Sequence, residues 1–293
     1  MALKIITADQ RIAAPAKINI ALFGPSGVGK TTQARTLNPK TTLFVDLEAG
    51  TLAIQDWSGD VVDVRSTATE HGMHPWDVAR GLACFLGGPD PADLNGPYSR
   101  QAYDWYCGMF GDPAALAKYD TIFVDSITVA SRFAFEWSKM QPQAISEKTG
   151  KPDTRGAYGL LGQEMVRWLT QLQHISGKSI IVVGILDKHV DDLKRVSWEP
   201  QIEGSKAGRE LPGIFDQVIT LSDFRAPDGT PYRAFVCTQT NQFGFPAKDR
   251  SGRLEELEPP DLGALIHKIR SGKRRDGNLQ TTIPAAPAEN PTA

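Results

Sequence analysis

The sequence predicts an α/β fold, a mainly parallel β-sheet with helices on both faces. Short apolar segments rich in β-branched residues alternate with longer helical patterns, the order expected of parallel strands joined by helices. Some of these segments, such as Ile180–Val183, are apolar at every position, which suits strands covered on both faces. In addition, the glycine-rich segment Gly24–Thr31 lies between a predicted strand and a predicted helix, as a phosphate-binding loop does.

The predicted strands are short apolar runs bounded by turn residues. In chain order they are Ile18–Phe23, Thr42–Asp46, Val61–Arg65, Thr121–Val124, Ser179–Ile185, Gln217–Leu221 and Tyr232–Thr238. The predicted helices are Gly29–Leu37, Pro75–Phe85, Ser99–Phe110, Ile127–Lys139, Ala157–Ser176 and Asp261–Arg270. In the longest of them, apolar residues recur at steps of three and four, so we expect one face to lie in the core.

Composition favours a globular chain, and its length allows one large α/β domain or two small ones. Of the 293 residues, 41% are hydrophobic and 23% are charged, close to the averages for globular proteins. We predict a domain at residues 1–270. From Ser271 to Ala293 the chain is polar and loses its apolar periodicity, so we expect a disordered tail at 271–293.

Charge and hydropathy exclude several classes of protein. With 32 basic and 34 acidic residues, the chain has no overall positive field, so any contact with DNA must be local. The three cysteines are far apart and odd in number, which favours reduced thiols. No run approaches the ~20 apolar residues of a membrane span, and Met1–Arg11 lacks the apolar core of a signal peptide. We therefore expect a cytoplasmic protein that does not enter membranes.

The most specific motif is G-x-x-x-x-G-K-[ST], which predicts an ATP site. The residues that match it are Gly24, Pro25, Ser26, Gly27, Val28, Gly29, Lys30 and Thr31. Glycines let successive backbone N–H groups point at one phosphate. Lys30 should reach the β and γ phosphates, and the Thr31 hydroxyl should bind Mg²⁺. The following residue, Thr32, is included in the predicted nucleotide site.

Carboxylates at two strand ends complete the predicted site. Asp125 directly follows the predicted strand Thr121–Val124. Because ligands collect at the carboxyl ends of parallel strands, we expect Asp125 to bind Mg²⁺. The alternative is that it caps the next helix. Asp46 and Glu48 follow another strand, and Glu48 is the candidate that orients or deprotonates the attacking water. The alternative there is that one or both carboxylates cap the turn at Ala49-Gly50.

Two long basic segments are predicted as functional loops, because loops beyond about 12 to 15 residues are usually functional or disordered. The first, 141–156, carries Lys148, Lys151 and Arg155. The second, 187–212, carries Lys188, His189, Lys194, Arg195, Lys206 and Arg209. Trp198 in the second segment is expected either to stack on a base or to anchor the loop to the core.

The order of these landmarks resembles the core of the RecA-type ATPases. Gly24–Thr31 is followed by Asp46-Leu47-Glu48-Ala49, then by Val124-Asp125-Ser126, then by a long helix from Gly159-Leu160 that leads into Ser179–Ile185. More narrowly, the chain resembles compact RecA-like P-loop ATPases of bacteriophages and prophages, some of which act in single-strand annealing recombination. The resemblance covers Lys17 to Ile269, and the phosphate loop is its specific part.

The resemblance implies further roles. It makes Glu48 the base that activates water, alongside Lys30 as the second catalytic residue. It implies that both basic segments face single-stranded DNA, with Lys148, Lys151, Arg155, Lys188, Lys194 and Arg195 as candidate contacts. It also implies a homo-oligomer in which Lys206 and Arg209 reach the neighbour's ATP, and a single-strand-binding protein as a possible partner. The sequence departs from RecA after Ser179–Ile185, where Leu186-Asp187-Lys188-His189 replaces a glutamine that senses the γ-phosphate.

The sequence therefore predicts a Mg²⁺-dependent ATPase that binds single-stranded DNA and supports phage homologous recombination or strand annealing. Two alternatives remain open. A phosphotransferase would use the same loop with a basic lid that closes over its substrate. A nucleotide-dependent switch would bind ATP and a protein partner and would hydrolyse little ATP.

Overall fold

A computed structural model describes residues 3, 5–13, 16–146, 149–190, 192–194 and 196–273. For Arg11, Ser205 and Lys206 it describes the backbone alone. Among the predicted sites, Lys148 and Arg195 lie outside the described residues, as does the predicted tail from 274 onward.

The described residues form a ten-stranded sheet. The strands are β1 (Asn19–Gly24), β2 (Thr42–Asp46), β3 (Asp60–Asp63), β4 (Thr121–Asp125), β5 (Ser179–Val190), β6 (Val196–Pro200), β7 (Gln217–Arg225), β8 (Pro231–Val236), β9 (Lys248–Asp249) and β10 (Leu257–Glu258). Eight of the strands follow the order β10-β8-β7-β1-β5-β4-β2-β3, while β6 pairs with β5 and β9 pairs with β7 outside this order. From β3 to β7 every neighbouring pair in this order is parallel, whereas β6, β8, β9 and β10 pair antiparallel. The predicted mainly parallel sheet is confirmed.

Helices cover both faces of the sheet, as predicted. They are α1 (Ala8–Ala13), α2 (Val64–His71), α3 (Pro75–Gly87), α4 (Arg100–Phe110), α5 (Ile127–Lys139), α6 (Thr154–His174), α7 (Ser205–Ile214) and α8 (Leu262–Ser271). The last of these extends to Ser271, the first residue of the predicted tail. In the part of the chain that the structure describes, no helix is long and apolar enough to cross a membrane.

Each face of the sheet has its own hydrophobic core. Helices α2 to α7 bury side chains such as Trp76 and Met165 against one face. A short 3-10 helix and α8 cover the other, where Leu37, Phe123 and Leu262 are buried. The stripe predicted on the longest helix is confirmed, since Leu161, Met165, Trp168, Leu169 and Leu172 of α6 are all buried.

Two element predictions were wrong in local detail. The segment after the phosphate loop is a 3-10 helix, Thr31–Thr36, and not the longer helix predicted at Gly29–Leu37. The strand predicted at Val61–Arg65 ends at Asp63, because the Asp63 carboxylate accepts the N–H of Ser66 at 2.9 Å and starts α2.

The second long basic segment, 187–212, was wrongly predicted as a loop. Strand β5 continues through Val190 and forms an antiparallel hairpin with β6, and α7 follows. Lys188 lies opposite Trp198 in this hairpin. The Trp198 ring packs on Phe245 with 4.9 Å between centroids, and it contacts the core. Trp198 therefore anchors the hairpin to the body of the protein.

Candidate nucleotide-binding site

The phosphate loop is shaped by glycines at positions where side chains do not fit. Gly27 and Gly29 have φ angles of 78° and 91°, in the left-handed region that L-residues rarely adopt. A Cβ on Gly24 would lie 2.4 Å from the carbonyl oxygen of Leu221. Val28, in contrast, is buried in the core beneath the loop. The glycines thus let the loop backbone curl so that its N–H groups can point at one phosphate.

Lys30 lies across the loop. Its Nζ donates to the carbonyl oxygens of Gly24 and Pro25 at 3.0 and 2.9 Å. Burial lowers the pKa of the Lys30 ammonium, and the nearby Asp125 and Glu48 carboxylates oppose that shift. Hydrogen bonds from an ammonium to charged phosphate oxygens are stronger than those to neutral carbonyls. The ammonium is therefore placed to exchange these carbonyls for a phosphate.

Thr31 and Asp125 form the predicted magnesium pair. The Thr31 Oγ1 donates to Oδ2 of Asp125 at 2.5 Å, which leaves the lone pairs of the hydroxyl available. Both groups supply the hard oxygen ligands that Mg²⁺ prefers, so the residues present fit this ion. The capping alternative for Asp125 is wrong, because the side chain that caps α5 is that of Ser126, which accepts the N–H of Val129 at 3.3 Å.

Asp125 is buried, and this changes its acidity. Burial raises the pKa of its carboxyl from 3.8 to about 7, while the hydrogen bond from Thr31 opposes the shift. The neighbouring Glu48 carboxylate adds to the rise in pKa. A positive ion beside Asp125 would favour its charged form, which fits the role of metal ligand.

The two carboxylates after β2 have different roles. Asp46 caps the turn, since its Oδ1 accepts the N–H groups of Glu48, Ala49 and Gly50 at 3.0, 2.9 and 3.3 Å. The capping alternative is therefore correct for Asp46. Glu48 is solvent-exposed, and its Oε1 accepts a hydrogen bond from the hydroxyl of Ser126.

The backbone places Glu48 beside the magnesium pair. Asp46 and Asp125 lie opposite each other at the ends of β2 and β4, and the N–H of Leu47 donates to the Asp125 carbonyl oxygen at 2.7 Å. A water-activating carboxylate must lie near the γ-phosphate. The parallel strands thus bring Lys30, Thr31, Glu48 and Asp125 to one edge of the sheet.

Asp125→Asn is expected to stabilise the protein in magnesium-free, nucleotide-free buffer at pH 8. Because the folded-state pKa of Asp125 lies above its ordinary value, the cost of the buried charge is absent below about pH 4 and complete above about pH 7. Asparagine still accepts from Thr31 and carries no charge. We expect a gain in the free energy of unfolding on the order of 2–4 kcal/mol at pH 8, measured by urea denaturation. The gain should shrink towards pH 5, and equal stabilities of the two proteins at pH 8 would contradict this account.

The remaining predicted residues lie away from the phosphate loop. Thr32 is half-buried next to the loop. Lys151 is exposed just before α6, and Arg155 is exposed in the first turn of α6. Lys188 and Lys194 are exposed on the β5–β6 hairpin. The backbone of Lys206 and the whole of Arg209 belong to α7.

A groove of about 810 Å³ opens between α5, α6, α7 and the β5–β6 hairpin. The charged residues of its lining are Arg132, Asp187, Glu199, Glu203 and Arg209, and His189 also lines it. Arg209, predicted to act on a neighbouring subunit, therefore lines this groove. Lys188 lies on the other face of the hairpin, with its Nζ 5.9 Å from the centre of the Trp198 ring.

Sequence reasoning missed two residues near these sites. Ser126, which holds Glu48, directly follows Asp125 in the chain, but its contact with Glu48 depends on the pairing of β2 with β4 and has no signal in the motif. Arg132 lines the groove and donates to Oε1 of Gln201 at 3.1 Å. It belongs to no motif, and its partner lies 69 residues away.

A family model described as "AAA domain" matches residues 16–251, which include the phosphate loop, Glu48 and Asp125. The chain belongs to the AAA domain family. Membership makes it a P-loop ATPase by family, with the α/β fold of the P-loop NTPases and a nucleotide as its expected ligand.

Comparisons with solved structures and with curated proteins give less information about this chain than the family model does. This AAA domain chain is similar in structure to the flagellar accessory protein FlaH from Methanocaldococcus jannaschii, with 10% sequence identity and a TM-score of 0.33. The match covers 81% of this chain and 86% of FlaH, and at this level it says nothing about what the AAA domain chain binds. No curated protein matches the chain.

Proposed function

We propose that this AAA domain protein is a Mg²⁺-dependent ATPase that binds single-stranded DNA and supports phage homologous recombination or strand annealing in the cytoplasm. The observation that carries the ATPase part is the convergence of Lys30, Thr31, Glu48 and Asp125 at one sheet edge. The DNA part is supported by the groove and by the exposed cations around it.

In the proposed hydrolysis, Lys30 moves from the loop carbonyls to the β- and γ-phosphate oxygens of ATP. Thr31 and Asp125 would hold Mg²⁺, whose charge neutralises those oxygens. Glu48 orients a water molecule towards the γ-phosphorus and takes its proton as the bond to the β–γ bridging oxygen breaks. Ser126 fixes the Glu48 carboxylate through its hydroxyl.

One of the two basic segments does not fit the kinase alternative. That alternative relies on long basic loops that close over a substrate as a lid. The segment 187–212 is instead a β-hairpin followed by α7, and the hairpin is anchored through Trp198. A segment held in this way is a poor candidate for a closing lid.

Exposed basic residues flank the groove. Arg155 precedes the groove-lining Tyr158 by about one turn of α6, and Lys151 lies just before this helix. On the opposite side, Lys194 extends from the β5–β6 hairpin, whereas Lys188 lies on the face of the hairpin that is turned away from the groove. Because carboxylates share the lining with the arginines, we expect contacts with DNA phosphates to come mainly from these flanking cations.

Helix α5 connects the groove to the catalytic edge. It begins next to Ser126, which contacts Glu48, and it contributes Ser131 and Arg132 to the groove. Ser131 also accepts the N–H of Glu203 at 3.0 Å. We propose that DNA in the groove affects hydrolysis through α5, so ATP turnover should respond to DNA.

The proposal includes a homo-oligomer in which Lys206 and Arg209 of α7 act on the ATP of a neighbouring subunit. The exposure of Arg209 is compatible with such a contact. Mixed assemblies of Lys30→Ala and Lys206→Ala/Arg209→Ala subunits test it, since each variant alone should be impaired and a mixed interface with an intact phosphate loop and intact basic residues should regain hydrolysis. No recovery of hydrolysis on mixing would contradict the role in trans. A single-strand-binding protein is a further proposed partner.

Reversing the flanking charges tests the DNA-binding part. We expect Lys151→Glu/Arg155→Glu/Lys194→Glu to bind a fluorescent single-stranded oligonucleotide at least tenfold more weakly, with the salt dependence of log K reduced by roughly 0.7 for each lost phosphate contact. Affinity for ATP should stay unchanged, because these residues lie away from the phosphate loop.

Lys40→Glu is the matched control. Lys40 is exposed in the turn before β2, at the edge of the sheet opposite the strand ends that hold the site. The Lys40→Glu variant should bind DNA as the wild type does. If the triple variant keeps wild-type DNA affinity and salt dependence, the assignment of DNA to this groove is wrong.

A further inference from the structure

The β7–β8 hairpin brings an arginine to the phosphate loop. Strand β7 pairs with β1 as far as Thr220 and then continues to Arg225, past the end of β1. Its extension pairs with β8, so that Asp223 lies opposite Arg233. The pair therefore stands at the edge of the sheet where the phosphate loop leaves β1.

Arg233 contacts the loop at a glycine. A Cβ built on Gly29 would lie 2.9 Å from Nη1 of Arg233 and 3.9 Å from Oγ1 of Thr32. The guanidinium thus occupies the space that any side chain at Gly29 would need. It lies beside the two residues, Gly29 and Thr32, that flank Lys30 and Thr31 in the predicted nucleotide site.

One end of the guanidinium is held and the other is available. The Nε of Arg233 donates to Oδ1 of Asp223 at 2.8 Å. Within the described part of the chain, Nη1 and Nη2 of Arg233 make no hydrogen bond. The ion pair is open to solvent, with 42% of the Arg233 side chain and 65% of the Asp223 side chain exposed, so it restrains the arginine only weakly.

We propose that Arg233 binds the phosphates of the nucleotide from the β8 side of the loop, with Asp223 as its positioning residue. The inference rests on the proposed nucleotide binding and adds a second cation to Lys30. A guanidinium presents its N–H groups as a planar fork that matches phosphate oxygens, and Nε can remain on Asp223 while both Nη groups donate to phosphate.

The position of Arg233 complements that of Lys30. Lys30 reaches the interior of the loop, where it bonds to Gly24 and Pro25, while Arg233 stands outside it against Gly29. A polyphosphate has oxygens on several phosphorus atoms, so two cations from different strands can bind it together. Because Arg233 comes from the same chain as the loop, this contact needs no neighbouring subunit.

Affinities of two probes test the inference. The probes are a fluorescent, non-hydrolysable ATP analogue and inorganic triphosphate, which competes with it and has no base or ribose. We expect Arg233→Ala to weaken both about 10- to 100-fold. Arg233→Lys keeps the charge without the fork, so its affinities should lie between those of the wild type and Arg233→Ala. Asp223→Ala should give a smaller loss, because it frees the arginine without removing it.

Arg225→Ala is the control variant, since Arg225 is exposed on the same hairpin and donates to the carbonyl oxygen of Gly229 at 3.2 Å. It should bind both probes as the wild type does. Unchanged affinity of folded Arg233→Ala for both probes would overturn the inference. A loss confined to the ATP analogue would also overturn it, by assigning the contact to ribose or base.

The two probes distinguish failure of this inference from failure of the proposed nucleotide binding. If wild-type protein binds neither probe, the nucleotide site itself fails. If the wild type binds both and Arg233→Ala binds equally well, only the role of Arg233 fails.

Discussion

Glu48→Gln is expected to lower the turnover of ATP by about 10²- to 10⁴-fold, the range that a general base contributes. Glutamine has the same shape and can still accept the hydrogen bond from Ser126, but it cannot take a proton from water. ATP should bind nearly as tightly as to the wild type, because Lys30 and the loop backbone are unchanged. Steady-state phosphate release gives the turnover, and titration with a non-hydrolysable analogue gives the affinity.

Ser126→Ala provides a graded comparison for Glu48. It keeps the carboxylate and removes the hydroxyl that holds it, so turnover should fall by less than in Glu48→Gln. Since Ser126 also caps α5, a loss of about 1 kcal/mol in stability is expected, and both variants should be assayed well below their melting temperatures. Hydrolysis by Glu48→Gln at the wild-type rate would reject the role of Glu48 and favour a site that uses another base.

Lys30→Ala is expected to remove most of the affinity for ATP. The variant loses the charged donor that reaches the β and γ phosphates, and charge-assisted hydrogen bonds of this kind contribute about 1.5–3 kcal/mol each. ATP with Mg²⁺ should raise the melting temperature of the wild type by mass action and leave that of Lys30→Ala nearly unchanged. The melting temperature without nucleotide should be similar in both proteins, because burial already disfavours the Lys30 charge.

Lys40→Ala is the control for Lys30→Ala, since it removes an exposed lysine far from the loop. Its shift in melting temperature with ATP and Mg²⁺ should match that of the wild type. If ATP with Mg²⁺ raises the melting temperature of Lys30→Ala as much as that of the wild type, the assignment of ATP binding to the phosphate loop is wrong.

The parts of the fold that sequence predicted well depend on local patterns. The strands at Thr42–Asp46 and Thr121–Asp125 are short apolar runs that end in an acid, and the buried stripe of α6 follows helical spacing. The phosphate loop was predictable because its glycines meet a local backbone requirement, visible as the positive φ angles of Gly27 and Gly29. Such features need no knowledge of distant partners.

Helix α7 shows why the second basic segment was misjudged. It contains Gly208, Pro212 and Gly213, residues with low helix propensity, so the local pattern predicted a loop. The helix is stabilised by tertiary packing, since Ala207 and Leu211 are buried in the core. Packing outweighed propensity here.

Contacts between distant segments could not be predicted from one sequence. The hydrogen bond from Ser126 to Glu48 joins residues 78 positions apart, and Arg233 approaches Gly29 from a different strand. Both depend on strand order, which places β4 beside β2 and β7 beside β1. Only the folded sheet shows that Asp46 caps a turn while Glu48 faces solvent.

The coupling of ATP hydrolysis to DNA is the central claim, and the most direct test is the rate of phosphate release by the wild-type protein with and without single-stranded DNA. We predict Mg²⁺-dependent hydrolysis that rises severalfold when single-stranded DNA is added and that rises less with double-stranded DNA. The triple variant Lys151→Glu/Arg155→Glu/Lys194→Glu should hydrolyse at the unstimulated rate. Hydrolysis at the same rate with and without DNA would contradict the coupling.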